Sequence, residues 1–524
     1  MREPLGLGRY RAGPLAVVLV AILGPCAHAQ PGAAAPAAQA RTLAAEGLRL
    51  LEAGQPALAE PKLALALRLD PTRSEAHYAL GFVREGRGEL RAARESYEAA
   101  VRLDPNLAEA HDRLGFVLGR LGDVPAGIVE LEKAVRLNPR LFDAQYHLGA
   151  TLWWTKDVAR ARPALEAAVR LKPAHAEARY YLALVLKQHG DLSAAINHLR
   201  LVVKQDPDLA VAQLQLGLAL QEQGDLAGAV QALRRAAPSL PDAANSLGLV
   251  LMQKGDADEA VATFRALVER QPNDNVARLN LGSALLQQAD LDGAIAVYRD
   301  LCARSPTSAT SFYNLGMALK QKDDFAGAEA ELRKAIALDP ALPEAPYTLA
   351  IVLWQTQRPQ EAIPLLRTAL QAKPDYAEAH YALGTILRQQ GQIDEALVEL
   401  RETVRINKAS AEAYLSIGQI LRQQKDTVGA AAAFAEAERL NKKKADAQAA
   451  ALAVGVGRQR LKEGDRPGAV ERFREAVRLD PENAQAHYEL AVALQGEGAT
   501  TEARAHFAEA RRLAPYFTPP ELNH

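Results

Sequence analysis

Prolines recur at a spacing of 34 residues along most of this 524-residue chain. Repeats of this length are supersecondary units that stack on one another, because none of them buries its apolar face alone. The period therefore predicts one extended all-α repeat array and not several separate globular domains. The prolines are Pro71, Pro105, Pro139, Pro173, Pro207 and Pro241, then, in shifted registers, Pro272, Pro306, Pro340, Pro374, Pro481 and Pro515.

Each period carries two helical segments joined by a polar turn. The first segment holds a Leu-Gly or Leu-Ala pair, such as Leu80-Gly81, whose small residue lets the two helices approach closely. Gly88 lies in the turn, where glycine suits a helix C-terminus, and an acidic residue after it caps the next helix. The second segment has Ala93 followed by Tyr97 four residues later, on the same face. The proline then ends the repeat.

These residues resemble those of the tetratricopeptide repeat family, and the resemblance covers Ala40 to about Phe517. It implies a right-handed superhelical solenoid of about fourteen helix-turn-helix repeats. In that family, the first helices line a concave groove that binds extended peptides or protein surfaces. The repeats are expected to start near Ala40, Ser74, Ala108, Phe142, Ala176, Ala210, Pro241, Asn275, Ala309, Pro343, Ala377, Ala411, Ala450 and Ala484.

Two breaks in the register divide the array into blocks 40–240, 241–444 and 445–517. The repeat from Ala210 is three residues short, and Ala445–Ala449 is a five-residue insertion that follows three lysines. We expect both breaks to change the rotation between neighbouring helices locally. Residues 30–39 are predicted to be a Pro/Ala linker, and residues 518–524 a tail.

The N-terminus has the features of a secretory signal peptide over residues 1–29. Basic residues precede the apolar stretch Leu15–Leu23, which is too short to span a bilayer. Ala27-His28-Ala29 matches a signal-peptidase site, so cleavage is predicted before Gln30 and the protein is expected to be exported, periplasmic or extracellular. An uncleaved anchor, a misplaced start codon and lipidation of Cys26 are the alternatives, and Pro25 disfavours lipidation.

Composition and motifs argue against catalysis and against nucleic-acid binding. The net charge is −1, from 62 basic and 63 acidic residues, so no basic surface for nucleic acid is expected. The chain contains no P-loop, nucleophile elbow, H-E-x-x-H or C-x-x-C motif. Cys302 is expected to be a buried thiol. We therefore predict no enzyme activity, no cofactor and no metal site. Four histidines occupy equivalent places in separate repeats and form a ladder, namely His77, His111, His380 and His487.

Candidate ligand-binding residues lie on the first-helix face that points away from the core leucines. In many repeats a tyrosine lies two residues before the leucine. The residue seven positions after the tyrosine lies on the same face and forms a second column along the array, and in many repeats the residue after that is a glutamine. Tyr146 with Trp153, and Tyr347 with Trp354, are expected to form apolar pockets. The alternative is that each tyrosine packs only on the next repeat and each glutamine only ends a solvated helix. The predicted groove residues are Tyr78, Tyr146, Trp153, Trp154, Tyr180, Lys187, Gln188, Gln253, Gln287, Tyr313, Lys320, Gln321, Tyr347, Trp354, Gln355, Tyr381, Arg388 and Gln389.

These features predict an exported scaffold that binds a protein or peptide ligand in its groove. One alternative is an assembly or export factor for envelope proteins or surface polysaccharide. Another is a non-catalytic relative of the repeat-containing glycosyltransferases, although only Asn280 and Asn314 match the asparagine ladder of those enzymes. Tyr516 and Phe517 follow the last repeat without a capping helix, so the C-terminal end is a candidate surface for self-association.

Overall fold

A computed structural model describes residues 34–514, and all regular structure in this range is helical. The predicted signal peptide, Cys26, and the tail with Tyr516 and Phe517 lie outside the described residues. The helices before residue 241 are α1 (Ala34–Glu52), α2 (Pro56–Leu69), α3 (Ser74–Gly86), α4 (Leu90–Leu103), α5 (Ala108–Arg120), α6 (Val124–Leu137), α7 (Phe142–Trp154), α8 (Val158–Leu171), α9 (Ala176–Gln188), α10 (Leu192–Gln205), α11 (Ala210–Gln223) and α12 (Leu226–Ala236).

The remaining helices continue the alternation of first and second helices up to α23, and α24 is much longer than the others. They are α13 (Pro241–Lys254), α14 (Ala257–Arg270), α15 (Asn275–Gln287), α16 (Leu291–Arg304), α17 (Ala309–Gln321), α18 (Phe325–Leu338), α19 (Glu344–Gln355), α20 (Pro359–Ala372), α21 (Ala377–Gln389), α22 (Ile393–Ile406), α23 (Ala411–Gln423), α24 (Thr427–Lys462), α25 (Arg466–Leu479), α26 (Ala484–Gly496) and α27 (Thr500–Leu513).

The chain folds as two compact units. One comprises the residues up to Glu222 together with Gln231–Leu240, and the other comprises Gln223–Val230 together with the residues from Pro241 onward. In the first unit, consecutive helices from α1 to α10 pack as antiparallel hairpins, and α5 also contacts α7 of the next repeat. The second unit repeats this arrangement from α13 to α27. The prediction of an all-α array of helical hairpins is confirmed.

The hairpins are held by a close approach at the small residue of each first helix. In the repeat that starts at Asn275, a Cβ atom added at Gly282 would lie 2.4 Å from the ring of Tyr298 in the second helix. Tyr298 is fully buried, and its hydroxyl lies 3.1 Å from the hydroxyl of Ser283. The glycine of the Leu-Gly pair therefore creates the space that the large apolar residue of the second helix fills.

Two features of the helices differ from the sequence prediction. Helix α1 begins at Ala34, so most of the predicted Pro/Ala linker is helical, because alanine is the strongest helix former. Helix α24 runs without interruption for 36 residues through the predicted insertion Ala445–Ala449. The predicted boundary between residues 444 and 445 therefore falls inside a helix that joins two repeats. The short repeat from Ala210 does have a short second helix, since α12 has 11 residues.

Candidate functional site

The candidate site is the face of the first helices that carries the predicted tyrosine, second-column and glutamine positions; we call it the tyrosine face. Because a helix advances 3.6 residues per turn, a tyrosine and the residue seven positions later lie on the same side, about 10 Å apart along the axis. That separation is too long for two rings on one helix to touch. Side chains from the following repeat fill the interval, and these contacts build the site.

In the first unit, an aromatic cluster forms where α7 and α9 meet. The ring of Tyr181 lies 6.2 Å from that of Tyr146 and 5.5 Å from that of Trp153. Tyr181 also packs edge-on against Tyr180 at 5.7 Å, and Trp153 meets Trp154 at 5.1 Å. The predicted pocket between Tyr146 and Trp153 is thus occupied by a ring from the next repeat. Tyr181 was not among the residues predicted from the sequence, although it directly follows the predicted site residue Tyr180.

Within this cluster, burial separates supporting rings from accessible ones. Tyr146 is only 8% exposed, and its hydroxyl donates a 2.8 Å hydrogen bond to the Glu177 carboxylate of the next repeat. Tyr180 is also buried, and burial raises the pKa of its phenol to about 12. Tyr146 therefore packs on the next repeat, as the alternative interpretation held, whereas the ring contact of Tyr180 is with Tyr181 of its own helix. Trp153 is half-buried and Trp154 is 42% exposed, so the indoles form the accessible part of the cluster.

A second aromatic group lies on α17, α19 and α21 of the second unit. The ring of Tyr347 lies 4.9 Å from that of Tyr376, in the turn before α21, so the predicted pairing of Tyr347 with Trp354 is replaced by a contact with the next repeat. The indole nitrogen of Trp354 donates a 2.9 Å hydrogen bond to the side-chain oxygen of Gln389. Tyr313 is half-buried like Tyr347, and burial raises the pKa of both phenols. Their hydroxyls therefore stay protonated and able to donate.

Tyr78 and Tyr381 stand apart from these two groups. Both are half-buried on the tyrosine face. The ring of Tyr78 lies 5.9 Å from that of Tyr97 in its own hairpin, and burial raises the pKa of its phenol. The structure therefore concentrates the accessible aromatic surface around the three tryptophans.

The glutamine column is exposed in every repeat where it was predicted. Gln287 reaches back to donate a 2.8 Å hydrogen bond to the backbone carbonyl of Met252, and Gln389 accepts from Trp354. The residue after each of these glutamines behaves differently, since Gln288 donates to Asp258 at 2.6 Å and so ties two repeats together. The exposed members of the predicted column are Gln188, Gln253, Gln287, Gln321, Gln355 and Gln389.

Of the predicted basic side chains of the second column, Lys187 has a carboxylate partner, whereas Lys320 and Arg388 have none among the described residues. Lys187 lies 3.9 Å from the Glu222 carboxylate, and burial lowers the pKa of its amine. Burial also lowers the pKa of Lys320, which forms no ion pair among the described residues. Arg388 donates to the side-chain oxygen of Gln419 and has no carboxylate partner in the described range. A shallow, open depression beside it is lined by Arg388, Gln419, Ile420, Arg422 and Gln423.

The histidine ladder has a structural role. In each case the Nε2 atom lies 3.0–3.1 Å from the carbonyl oxygen of the proline six residues earlier, as for His380 and Pro374. Nδ1 of His380 bonds the Glu399 carboxylate of the same hairpin at 2.6 Å. Residues 34–514 contain no group of three or more potential ligands that could hold a metal ion. Cys302 is buried, and burial raises the pKa of its thiol to about 11.

Among residues 34–514, no helix combines the length and the apolarity needed to cross a membrane. The asparagine positions shared with repeat-containing glycosyltransferases do form one contact between repeats, a 2.8 Å hydrogen bond from Asn280 to Asn245. Asn314 instead donates to the carbonyl of Thr310 in its own helix. The asparagines therefore do not continue as a ladder.

Three solved structures are similar to this chain. The crystal structure of yeast Tom70 is 15% identical, with a TM-score of 0.40, and the match covers 74% of this chain and 96% of that one. A crystal structure of MamA is 25% identical, with a TM-score of 0.29 and coverage of 32% and 97%. YrrB, a TPR protein with an unusual peptide-binding site, is 20% identical, with a TM-score of 0.28 and coverage of 43% and 95%.

Family models match the sequence along most of its length, although no curated protein matches it. The model for the C-terminal domain of cilia and flagella-associated protein 70 matches residues 194–454. A tetratricopeptide repeat model matches residues 113–173, 155–210 and 457–516, and a second repeat model matches residues 87–122. The repeat fold that these models describe is generally non-catalytic. Together with the helical hairpins, these matches show that the chain belongs to the tetratricopeptide repeat family.

Proposed function

We propose that this protein is an exported scaffold that binds an extended segment of another polypeptide along its tyrosine face. The observation that carries the proposal is the column of exposed glutamines beside partly exposed indoles. Amide side chains both donate and accept, so they match the backbone of an extended peptide without reading its sequence. Trp153, Trp154 and Trp354 then supply apolar anchors, which are common centres of binding energy.

The second unit offers the more complete version of this surface. Trp354 is positioned by its hydrogen bond to Gln389, so its ring is preorganised at the glutamine column. Lys320 and Arg388 flank it on the neighbouring repeats at the equivalent position. We therefore expect the preferred peptide to place an apolar side chain on Trp354 and acidic groups on either side.

Tryptophan fluorescence provides a direct test, because all three tryptophans of the chain lie on the tyrosine face. Peptides selected on the full chain from a displayed library of random linear peptides should change the emission when titrated back. Trp354→Ala should weaken their binding by about 2 kcal/mol, and Trp153→Ala should weaken those that bind the first unit. Neither change should alter the helical circular dichroism, since both side chains are half-buried at the surface.

Val398→Ala is the matched control, because it removes an exposed apolar side chain from α22, a second helix away from the tyrosine face. It should leave peptide affinity unchanged. Selected peptides that bind Trp153→Ala and Trp354→Ala as tightly as the native chain would place the ligand elsewhere and contradict the proposal.

Export rests on the basic residues, the apolar stretch Leu15–Leu23 and Ala27-His28-Ala29, all outside the described residues. The mature protein is expected to begin at Gln30 and to fractionate outside the cytoplasm. N-terminal sequencing of protein purified from its native cells checks this. An intact Met1 in a cytoplasmic fraction would remove the exported location while leaving the binding proposal to be tested separately.

A further inference from the structure

One face of helix α24 is exposed, although the equivalent face is buried in the neighbouring repeats. In its second half, Leu452 is 70% exposed and Val456 is 38% exposed. The residue equivalent to Leu452 is fully buried in the preceding repeat, where it is Ala413, and the residue equivalent to Val456 is the buried Ile417. This face normally packs against the second helix of the repeat before it, as α23 does against α22. At α24, no helix among residues 34–514 covers it in this way.

The hairpin that precedes this face is open on the complementary side. Phe434, in the first half of α24, is only half-buried, and Ala431 is exposed. In the repeat before it, the equivalent Leu400 and Leu397 are both buried. A residue at the position of Phe434 is buried in each other repeat from Ser74 onward. The two halves of one repeat junction are therefore both present and both unpacked.

The continuous helix holds these two faces apart. The first half of α24 packs on α23, whereas the second half packs on α25 and α26. Residues 441–449 lie between the halves and add a rise of about 14 Å, with no proline or glycine to bend the helix. A surface ion pair of Lys443 with Glu482 is the direct link from this segment to the final hairpins. While α24 stays straight, the faces of one chain cannot meet.

We propose that a second copy of this chain covers both faces by exchanging its final hairpins. The 450–513 segment of one copy would pack on the 411–440 hairpin of the other, and the reverse contact would form by two-fold symmetry. A second copy fits these faces because it carries both of them. Each face also belongs to a helical hairpin of the kind that packs at the other junctions of the second unit. The exchange would leave the tyrosine face, on another side of these helices, open to ligand.

Side-chain volumes support the exchange. Leu452 stands where the neighbouring repeats have alanine, as at Ala413 and Ala486, while Ala431 stands where the preceding repeat has Leu397. At this pair of positions, the first helix has gained volume and the second helix has lost it. The two changes offset one another when the faces pack together, as dense packing of a buried junction requires.

Sedimentation of the full chain tests the proposal. The native chain should sediment as a dimer, and Leu452→Glu should sediment as a monomer, because a carboxylate would be buried in the junction. Ala432→Glu is the matched control, since Ala432 is exposed on the same helix and its equivalent, Val398, stays 59% exposed in a repeat whose junction is packed. It should remain a dimer. A native chain that is monomeric at every accessible concentration overturns the proposal.

A disulfide test separates exchange from folding back within one chain, and it does not depend on a disruptive variant. Ala431→Cys and Leu452→Cys are combined in a chain whose native cysteines are replaced by Cys26→Ser and Cys302→Ala, and a mild oxidant is added. Exchange predicts a covalent dimer on a non-reducing gel, whereas either single cysteine alone should give far less. A cross-linked species that runs as a compact monomer would show that α24 bends back on itself and would overturn the proposal.

Discussion

Each ladder histidine has a structural role that other hydrogen-bond donors can also fill. Gln145 and Gln213 occupy the same place in their repeats, and each donates to the corresponding proline carbonyl, at 3.1 and 2.9 Å. The requirement is therefore a side-chain donor that closes the turn between repeats. His380 adds a charge to this role, because its Nδ1 atom also bonds Glu399.

Stability should depend on pH through His380. Its hydrogen bond to Glu399 raises its pKa above the ordinary value for histidine. A raised folded-state pKa gives stability that is complete below the unfolded pKa and is lost as pH rises through the folded pKa. His380→Gln keeps a donor for the Pro374 carbonyl but removes this term. It should lower the free energy of unfolding by up to about 1 kcal/mol near pH 5.5, and by less near pH 8.5.

Urea unfolding of the full chain at the two pH values measures this difference. His77→Gln is the control, because His77 makes the same contact with the carbonyl of Pro71 but no carboxylate contact among the described residues. Its effect at the two pH values shows what the contact with the proline carbonyl contributes without a carboxylate. A His380→Gln effect that grows with rising pH would contradict the assignment of the ion pair.

The sequence predicts which residues of the candidate site share a face, but it does not predict which side chains they contact. Periodicity identifies which side chains share a face, so the exposure of Gln321 and the partial exposure of Trp354 followed from the sequence. It does not show what the neighbouring repeat contributes. Tyr181 and Tyr376 belong to the following repeats and enter the aromatic groups through packing between them. Such contacts depend on the rotation from one hairpin to the next, which residue spacing alone does not specify.

At the scale of the helices, the turn between the two helices of a repeat has a fixed backbone conformation. Glycines in this turn have positive φ, 82° for Gly190 and 90° for Gly255. Asp191, next to Gly190, caps the second helix by accepting from the backbone of Ala194 at 3.2 Å. Asp256, next to Gly255, makes no capping hydrogen bond and instead pairs with Lys254. The predicted role of the turn glycine is thus confirmed in both repeats, and that of the aspartate in the first of them.

Ala289→Gly should stabilise the protein. Ala289 has a φ of 65°, a conformation that costs a residue with a Cβ atom about 1 kcal/mol or more. Glycine removes this strain but adds freedom to the unfolded chain, so we expect a net gain of up to about 1 kcal/mol. Thermal unfolding of the full chain measures it, with Gly190→Ala expected to have the opposite sign. A lower melting temperature for Ala289→Gly would show that the turn is not strained.

The path of α24 shows why the loss of a proline has different consequences in two repeats. Lys408 replaces the repeat proline, yet α22 still ends at Ile406, because Asn407 is extended and Ser410 caps α23 by accepting from Ala413. After Lys442, the position equivalent to Ser410 holds Lys444 or, counted back from the next repeat, Ala449, and neither side chain caps a helix. The helix therefore continues. The sequence predicted a five-residue insertion at this point, and without a cap the inserted residues continue a single helix.

At the scale of the whole molecule, stability in a repeat array is the sum of the hairpins and the junctions between nearest neighbours. Ala450, Phe473 and Leu490 belong to a buried cluster made entirely of side chains from the second half of α24 through α27. The junction to the hairpin before it is replaced by a length of helix. The final hairpins should then be coupled to the rest of the second unit more weakly than any of the regular repeats there.

Hydrogen exchange can measure this coupling in the Leu452→Glu chain, which we expect to be monomeric. Amides of α25 to α27 should exchange through an opening that leaves α14 to α18 protected, because opening the final hairpins breaks no packed junction. In the native chain, exchanged hairpins would restore the junction and slow this opening. Mass spectrometry of peptides from the two regions separates the outcomes. Equal protection of both regions in the Leu452→Glu monomer would mean that the continuous helix transmits stability as well as a packed junction does.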